Sequence, residues 1–303
     1  MSSKRYKAVL FSILMPCSIY LAQATTAEQY YALIDNQVAA SASTEQRIVQ
    51  LSASLLGAPY VDGNLGEGEF GQYDRDPLYR FDVFDCTTYV ETVLAGALST
   101  SSHDFADNIN KIRYQDGLVS FVTRNHFASA DWLPNNQGLL QDITTQVGQA
   151  ETLIATTLID KPAWYQAMKE DRLQSLPDSV NKQERLDALH HEGQAFQAQS
   201  VSTAYVPLTA VFQGDQINQA LLDRIPNGSI ISMVRPDYDV KKWIGTNLNI
   251  THQSIAVRKD GQLFLRHASQ LKKEVTDEDF IEYFAKYRDH ATLKGFNVQQ
   301  AHF

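Results

Sequence analysis

The chain has 303 residues, 44% of them hydrophobic, and a formal net charge of −9. This length is sufficient for one well-cored domain with an insertion, or for two small domains. The acidic balance argues against nucleic acid or an anionic membrane surface as a binding partner.

Residues 1–24 have the pattern of a secretory signal peptide. A short basic segment precedes an apolar run too short for a comfortable membrane span, and small residues follow at 22–24. We predict cleavage after Ala24 and export to the periplasm or cell envelope. The alternatives are an uncleaved anchor, which Pro16 disfavours, and a lipoprotein signal at Cys17. No later apolar stretch approaches membrane length, so we predict no stable membrane insertion.

Cleavage would leave Cys86 as the only thiol of the exported chain. It would also shift the net charge to −12, because the leader holds three of the 26 Lys and Arg and none of the 35 Asp and Glu. A lone thiol in an oxidising compartment cannot form an internal disulfide and is often reactive. The alternative is an inert cysteine buried as a small apolar residue.

The first predicted elements of the mature chain are a helix and a long loop. Ser43 and Gln46 form a capping box for a helix over 43–57 that carries an apolar stripe and ends at Gly57. Residues 58–79 are rich in Gly and Asp and contain no periodic pattern. Irregular loops of this length are often functional.

A second helix is predicted to begin at Cys86. Asp85 is a good N-cap, and apolar residues recur every four positions from Tyr89 onward. The thiol lies off this apolar stripe, at the helix N-terminus, where free N–H groups and the helix dipole stabilise a thiolate and lower its pKa. The same N–H groups could bind a developing oxyanion. This position favours a nucleophile over a core residue.

The middle of the chain, from about 101 to 205, carries fewer signals. It contains a probable helix over 183–198 and the segment "RNHFASADWLPNN" at 124–136. Asn125, His126 and Trp132 combine hydrogen-bonding groups with an aromatic ring, which suits binding of a sugar or a peptide. The alternative is a structural loop whose tryptophan fills the core.

The last third of the chain is dominated by β signals. Strands are predicted over 227–234, 249–257 and 262–268, with helices over 216–225 and 277–288. Asp260–Gly261 is a strong signal for a two-residue hairpin turn. That register makes His252 and His267 diagonal neighbours on one sheet face, about 7–8 Å apart.

A thiolate nucleophile requires a base and usually a third group that orients the base. His252 and His267 fit these two roles, whereas the other six histidines lie in polar or ambiguous segments. The alternatives are two ordinary strand histidines or a metal site. Two histidines without a clustered third ligand make a poor zinc site, so we predict no metal and no cofactor.

Several motifs together resemble the NlpC/P60 cysteine peptidases, and more specifically the DUF1460 branch of that superfamily. In chain order the motifs are "GAPYV" (57–61), "FDCTTYVETVL" (84–94), "NHFASADW" (125–132), "PNGSIISMV" (226–234), "THQSIAV" (251–257) and "LRHAS" (265–269). The resemblance implies a papain-like α+β fold, in which the nucleophile-bearing helix packs on an antiparallel sheet. It implies one catalytic domain over 25–303, with a large insertion at about 101–205.

The resemblance also implies roles for individual residues. Cys86 matches the nucleophile, His252 the base, His267 the third polar residue, and Tyr60 a tyrosine that lines the site. Asp85, beside the nucleophile, joins Tyr60 as a candidate for substrate binding. Gly-Ser at 228–229 and a serine at 254 depart from the Gly-Asp and the Gly that many members have. These departures affect packing more than chemistry.

The DUF1460 branch is similar in activity to N-acetylmuramoyl-L-alanine amidases, which implies muropeptides as substrates. A Cys/His pair suits any amide, so an endopeptidase acting within the peptide stem is the main alternative. A lipid acyltransferase or phospholipase would require an apolar anchor that the mature sequence lacks. A non-catalytic wall-binding module would have no need for the complete Cys/His/His set.

Overall fold

The computed structural model describes residues 25–303, so the signal peptide predicted for 1–24 lies outside the described residues. The helices are short apart from four, α1, α2, α3 and α8. Their bounds are α1 Ala27–Ala39, α2 Thr44–Ser54, α3 Cys86–Leu98, α4 Phe105–Arg113, α5 Leu133–Asn135, α6 Thr144–Gly148, α7 Lys161–Gln166, α8 Lys182–Gly193, α9 Leu208–Val211, α10 Gln219–Leu222, α11 Lys241–Ile244 and α12 Phe280–Ala285.

Most strands belong to one antiparallel sheet, with the order β2-β3-β10-β6-β7-β8-β9 and with β1 also paired to β10. Strands β4 and β5 form a separate two-stranded ribbon. The bounds are β1 Leu140–Asp142, β2 Leu153–Ile159, β3 Gln199–Pro207, β4 Phe212–Gln213, β5 Gln216–Ile217, β6 Ile230–Asp239, β7 Asn247–Lys259, β8 Gln262–Ser269, β9 Glu274–Asp279 and β10 Gly295–Ala301. This mixture of helices and an antiparallel sheet is consistent with the predicted α+β class.

Two apolar clusters lie on opposite faces of the sheet. Alternate residues of β7 point to opposite faces, as the strand geometry requires. Ile255 and Val257 pack with the buried side of α1, α2 and α3, whereas Ala256 belongs to the cluster that includes α9, α10 and α12. Helix α3 therefore packs against β7 and β8.

The predicted first helix is confirmed, and its N-terminus is formed as the sequence indicates. Ser43 accepts a hydrogen bond from the Gln46 amide, and the Gln46 side chain accepts one from the Ser43 amide. The regular α-helix ends at Ser54, and the chain continues as a turn to Gly57, which adopts a positive φ of 83°. Residues 58–79 then form the expected irregular loop.

The middle segment contributes more to the sheet than its sequence indicated. Strands β1, β2 and β3 all come from it, or from its C-terminal boundary, and β2 forms one edge of the main sheet. A third apolar cluster joins this segment to the 58–79 loop, through Tyr73, Phe121, Tyr165 and Leu189. The segment is thus packed onto the rest of the chain through both the sheet and a small core of its own.

Two predicted helices of the last third are wrong at their starts. The helix predicted over 216–225 is limited to α10, Gln219–Leu222, because Gln216 and Ile217 form β5. The helix predicted over 277–288 is α12, which begins only at Phe280, and residues 277–279 belong to β9. Residues Glu274–Asp279 pair with β8 along their whole length, which overrides their helical pattern. Within residues 25–303 the structure contains no helix both long and apolar enough to cross a membrane.

Candidate active site

Cys86 is the first residue of α3, as the sequence predicts. The Asp85 carboxylate caps the helix, accepting hydrogen bonds from the amides of Thr87 at 3.0 Å and Thr88 at 2.8 Å. The Thr88 hydroxyl accepts a hydrogen bond from the Asp85 amide at 3.0 Å, which completes the capping box. The backbone N–H of Cys86 itself does not donate to the Asp85 carboxylate.

The electrostatic environment of the thiol differs from the sequence-based prediction. Burial, and to a smaller extent the neighbouring Asp85 carboxylate, raise the pKa of Cys86 to about 12. Hydrogen bonds from the Gln253 amide and from Thr87 favour the thiolate but do not outweigh these two effects. The expected lowering of the thiol pKa is therefore not found, because partial desolvation and the adjacent Asp85 carboxylate outweigh the effect of the helix N-terminus.

The hairpin that carries the two histidines has the predicted register. Lys259 pairs with Gln262 across the turn, and Ile255 pairs with Arg266. As a result, Nε2 of His252 lies 2.6 Å from Nδ1 of His267. The prediction that the two rings share one sheet face is confirmed.

A β-bulge lies immediately beside His252. His252 pairs with Met233 of β6, but the next pair along is Ile250 with Val234, so Thr251 is an extra residue in β7. Bulges bend a strand and reorient the neighbouring side chain, and they are common next to active sites. No pattern in the sequence predicts this bulge.

His252 is uncharged at ordinary pH. Burial, together with the nearby His267, lowers the pKa of His252 to about 3, against a smaller opposing effect of Glu278. With a thiol pKa of about 12 and an imidazole pKa of about 3, the resting pair is a neutral thiol and a neutral imidazole. These two pKa values therefore do not favour a preformed thiolate–imidazolium ion pair.

This neutral resting pair predicts an unusual alkylation profile. The rate at which iodoacetamide modifies Cys86 should rise about tenfold per pH unit between about pH 6 and pH 9, because the thiolate fraction does so well below the pKa. The same measurement in denaturant should level off near the ordinary thiol pKa of about 8.5. A fast rate in the folded protein that stays constant across this range would instead indicate a preformed thiolate.

Sequence reasoning missed one residue next to the histidine pair. Nε2 of His267 lies 3.0 Å from Oε2 of Glu278, whose Oε1 accepts a hydrogen bond from Nζ of Lys286 at 3.2 Å. The hydrogen bond with His267 is the main reason that the pKa of Glu278 is lowered to about 2. The sequence places Glu278 in the helix predicted over 277–288, whereas the structure places it on β9. Recognition of residues 274–279 as a strand paired with β8 would have placed Glu278 beside His267.

Two cavities meet at Cys86. The larger has a volume of about 500 Å³ and is lined mainly by polar and charged side chains, including Tyr60, Asp85, Arg124 and Trp164. The smaller, about 150 Å³, is lined by His252 and by apolar side chains that include Phe127, Leu248 and Ile250. Cys86, Thr87, Asn125, His126, Leu248 and Thr251 line both. The nucleophile candidate thus lies where two pockets of different size and polarity join.

Two of the predicted substrate-binding residues face these cavities with usable polar groups. Burial raises the pKa of Tyr60 well above its usual value, so its hydroxyl keeps its proton. Burial and the charge of Arg124 lower the pKa of His126 to about 3, so that ring is neutral. Nε2 of His126 is 2.7 Å from the Phe121 carbonyl, so it carries the proton and donates, which leaves Nδ1 as an acceptor.

The prediction that Trp132 offers a ring for stacking is wrong. Its side chain is 0% exposed, and its Nε1–H donates to Oε1 of Glu91 at 3.2 Å. Oε2 of Glu91 accepts a hydrogen bond from Nε of Arg113 at 2.6 Å, and both charged side chains are buried. Trp132 therefore fills the core beside a buried ion pair, which is the structural alternative considered above.

The side chain of Asn125 is also engaged within the protein. Its Nδ2 donates to the Ile112 carbonyl at 3.0 Å, and its Oδ1 accepts a hydrogen bond from Asn135 at 2.6 Å. The residue borders both cavities, but these bonds give it a role in holding the 124–136 segment. For Asp85 the structure gives the helix cap, and contact with a substrate stays a prediction.

Among the described residues 25–303, no group of three His, Cys, Asp or Glu side chains is arranged to hold a metal ion.

Comparison with known proteins identifies relatives across most of the chain. A family model described as AmiA-like, N-acetylmuramoyl-L-alanine amidase-like, matches residues 50–292. A Legionella pneumophila str. Philadelphia 1 protein of family DUF1460 has 37% identity and a TM-score of 0.85, over 90% of this chain and 95% of that one. An N-acetylmuramoyl-L-alanine amidase from Bacteroides uniformis ATCC 8492 has 25% identity and a TM-score of 0.61, over 86% and 99%. No curated protein matches the sequence significantly.

Proposed function

The chain belongs to the AmiA-like family of N-acetylmuramoyl-L-alanine amidase-like proteins, and from this premise we propose that it hydrolyses the amide between N-acetylmuramic acid and L-alanine in peptidoglycan fragments. The observation that carries the proposal is the junction of two unequal cavities at Cys86, with His252 lining the smaller one. The family membership supports a hydrolase of this class, and the site supports cysteine chemistry.

The proposed reaction is acyl transfer through a thioester. His252 accepts the thiol proton on Nδ1, the ring nitrogen that is not directed at His267, while the sulfur of Cys86 attacks the amide carbonyl. The free amide of Cys86 at the helix N-terminus is suited to stabilise the oxyanion. His252 then donates its proton to the departing amine, and the C–N bond breaks. Water, deprotonated by His252, hydrolyses the thioester and regenerates the thiol.

The two cavities suggest which part of the substrate lies on each side. The departing amine must lie near His252, which protonates it, and His252 lines only the smaller, more apolar cavity. An alanine methyl group suits that environment. The acyl side would then occupy the larger cavity, whose volume of about 500 Å³ falls within the common range of small-molecule sites, about 300–1,000 Å³. An amidase must accept a bulky sugar on this side, whereas an endopeptidase requires only peptide on both sides.

Trp164 is the aromatic residue best suited to contact the sugar. Phe127, Trp132 and Tyr165 are buried, whereas Trp164 is partly exposed and lines the larger cavity. Its ring packs against His126 with 4.7 Å between the ring centroids, which holds it in position. An aromatic ring held in this way offers a surface for stacking against a sugar ring.

Replacing Trp164 with alanine is expected to raise KM about tenfold and to change kcat by less than about threefold. A contact made equally in the ground and transition states affects mainly KM. Steady-state kinetics on a soluble muropeptide would measure both constants. Trp243→Ala is a matched control, because Trp243 is 69% exposed and lines neither cavity. A fall in kcat at constant KM would contradict the binding role.

The cellular setting belongs to the same proposal. Export through the predicted signal peptide at 1–24 would bring the protein to the periplasm or cell envelope, where peptidoglycan fragments are found. The motifs around Cys86, His252 and His267 support placement in the NlpC/P60 superfamily. There the papain-like core has a nucleophile-bearing helix packed on an antiparallel sheet.

Product analysis of a defined muropeptide tests the bond that is cleaved. Mass spectrometry should detect free N-acetylmuramic acid and a peptide with L-alanine at its N-terminus. A sugar that still carries L-alanine and D-glutamate would instead identify an endopeptidase. The free stem peptide without the sugar is a matched substrate control, because an amidase cannot cleave it and an endopeptidase can. The Cys86→Ala protein provides the enzyme control.

A further inference from the structure

A row of three polar side chains crosses three neighbouring strands beside the candidate nucleophile. His252 lies on β7, His267 on β8 and Glu278 on β9, and each ring nitrogen or carboxylate oxygen lies within 3.0 Å of the next. In the β8–β9 register Leu265 pairs with Glu278 and His267 with Thr276, so Glu278 is the diagonal neighbour of His267. The row is therefore a consequence of strand register and does not depend on a loop.

Glu278 is the charged group in contact with His267, so it determines which ring nitrogen of His267 carries the proton. The His267 side chain is 2% exposed and that of Glu278 is 11% exposed. The edge of the Tyr283 ring packs against His267, with 5.6 Å between centroids and an interplanar angle of 88°. Lys286, whose side chain is 54% exposed, bonds the far oxygen of Glu278. The carboxylate is therefore held between one imidazole and one ammonium group.

The direction of each hydrogen bond follows from the carboxylate. An ionised carboxylate can only accept hydrogen bonds, so Nε2 of His267 must carry a proton and donate it. Nδ1 of a neutral His267 then has a lone pair and accepts a hydrogen bond from Nε2–H of His252. His252 is neutral, so its proton on Nε2 leaves Nδ1 unprotonated. Unprotonated Nδ1 is the form that can accept a proton from a thiol.

We propose that Glu278 is a positioning residue that sets, through His267, which nitrogen of His252 carries the proton. It does not touch the substrate or Cys86 itself. The inference rests on the Cys86–His252 pair proposed above, and it adds a fourth member to the Cys/His/His set that the sequence indicated.

Lys286 determines how the side-chain amide would be oriented in the Glu278→Gln variant. In Glu278→Gln the side-chain amide has one accepting end and one donating end. The ammonium group of Lys286 can only donate, so it would hold the amide oxygen and direct the NH₂ group at His267. Nε2 of His267 would then have to accept, its proton would move to Nδ1, and His252 would be protonated on Nδ1. The isosteric glutamine should therefore be worse than alanine, which only removes the acceptor.

The test compares these variants in kinetics and in ¹⁵N NMR of the histidine rings. We expect Glu278→Gln to lower kcat by about 10²- to 10⁴-fold, because the wrong tautomer of a catalytic histidine costs up to about 10⁴-fold in a serine-protease triad. Glu278→Ala should cost about 10- to 100-fold, the usual effect of losing an orienting partner. Adding Lys286→Met to Glu278→Gln should restore part of the activity, because the amide can then rotate. Glu274→Gln, an exposed carboxylate on the same strand, is the control and should be unchanged.

The NMR spectra report on the tautomer without any substrate. His252 should be protonated on Nε2 in the wild-type protein and on Nδ1 in Glu278→Gln. The proposal would be overturned if the His252 tautomer were the same in both, or if Glu278→Gln were at least as active as Glu278→Ala. A wrong assignment of the cleaved bond would appear only in the product analysis and would leave these spectra unaffected.

Discussion

Replacing Cys86 with alanine is expected to lower kcat on a muropeptide by about 10⁴- to 10⁶-fold, with little change in the thermal unfolding midpoint. Loss of a covalent nucleophile removes the whole thioester route, and effects of this size are usual for such residues. The side chain is only partly buried and lies off the apolar stripe of α3, so its loss removes little packing.

Two controls separate catalysis from folding in this experiment. Cys86→Ser keeps the shape of the side chain and supplies a weaker nucleophile, so its activity should also be very low. Near-UV circular dichroism of both variants should match that of the wild-type protein. Undiminished hydrolysis by Cys86→Ala would exclude the nucleophile role, and a large fall in the unfolding midpoint would favour an inert core cysteine.

The second large effect is expected at His252. His252→Gln should lower kcat by about 10³- to 10⁵-fold, because the neutral Cys86 thiol requires a base in order to attack. His267→Gln should have a smaller effect, since His267 acts on the base and not on the thiol. The measurement is kcat at saturating substrate across a pH series.

An exposed histidine offers a matched control for this series. His191 lies on α8, away from the cavities, and His191→Gln should retain full activity. Because the proposed mechanism uses no metal, incubation with EDTA should leave the wild-type rate unchanged. Inactivation by EDTA that zinc reverses would contradict the mechanism.

The parts of the site that could be predicted from the sequence depend on local interactions. The Asp85 cap involves residues within one helical turn, and the Asp260–Gly261 turn sets the β7–β8 register over a few residues. Both signals are encoded in short stretches, so the position of Cys86 and the approach of the two histidines followed from them. The same is true of the capping box at the start of α2.

The parts that could not be predicted depend on long-range packing. The burial of Trp132 requires Glu91, which lies 41 positions earlier in the chain. The role of Glu278 depends on a strand pairing that overrides a helical pattern. The sequence predicts a lowered thiol pKa because it shows the helix N-terminus, but it does not show the burial that raises the pKa of Cys86.

The buried pair of Glu91 and Arg113 has a consequence for engineering this family. Glu91 lies on the helix that begins with Cys86, and it bonds both Arg113 at the end of α4 and Trp132 in the 124–136 segment. Removing one partner of a buried ion pair typically costs about 3–5 kcal/mol. A chimera that exchanges the 124–136 segment with that of a relative would therefore have to import matching residues at 91 and 113. The conformation of the 124–136 segment and the position of the helix that begins with Cys86 are therefore coupled, and the two would have to be exchanged together.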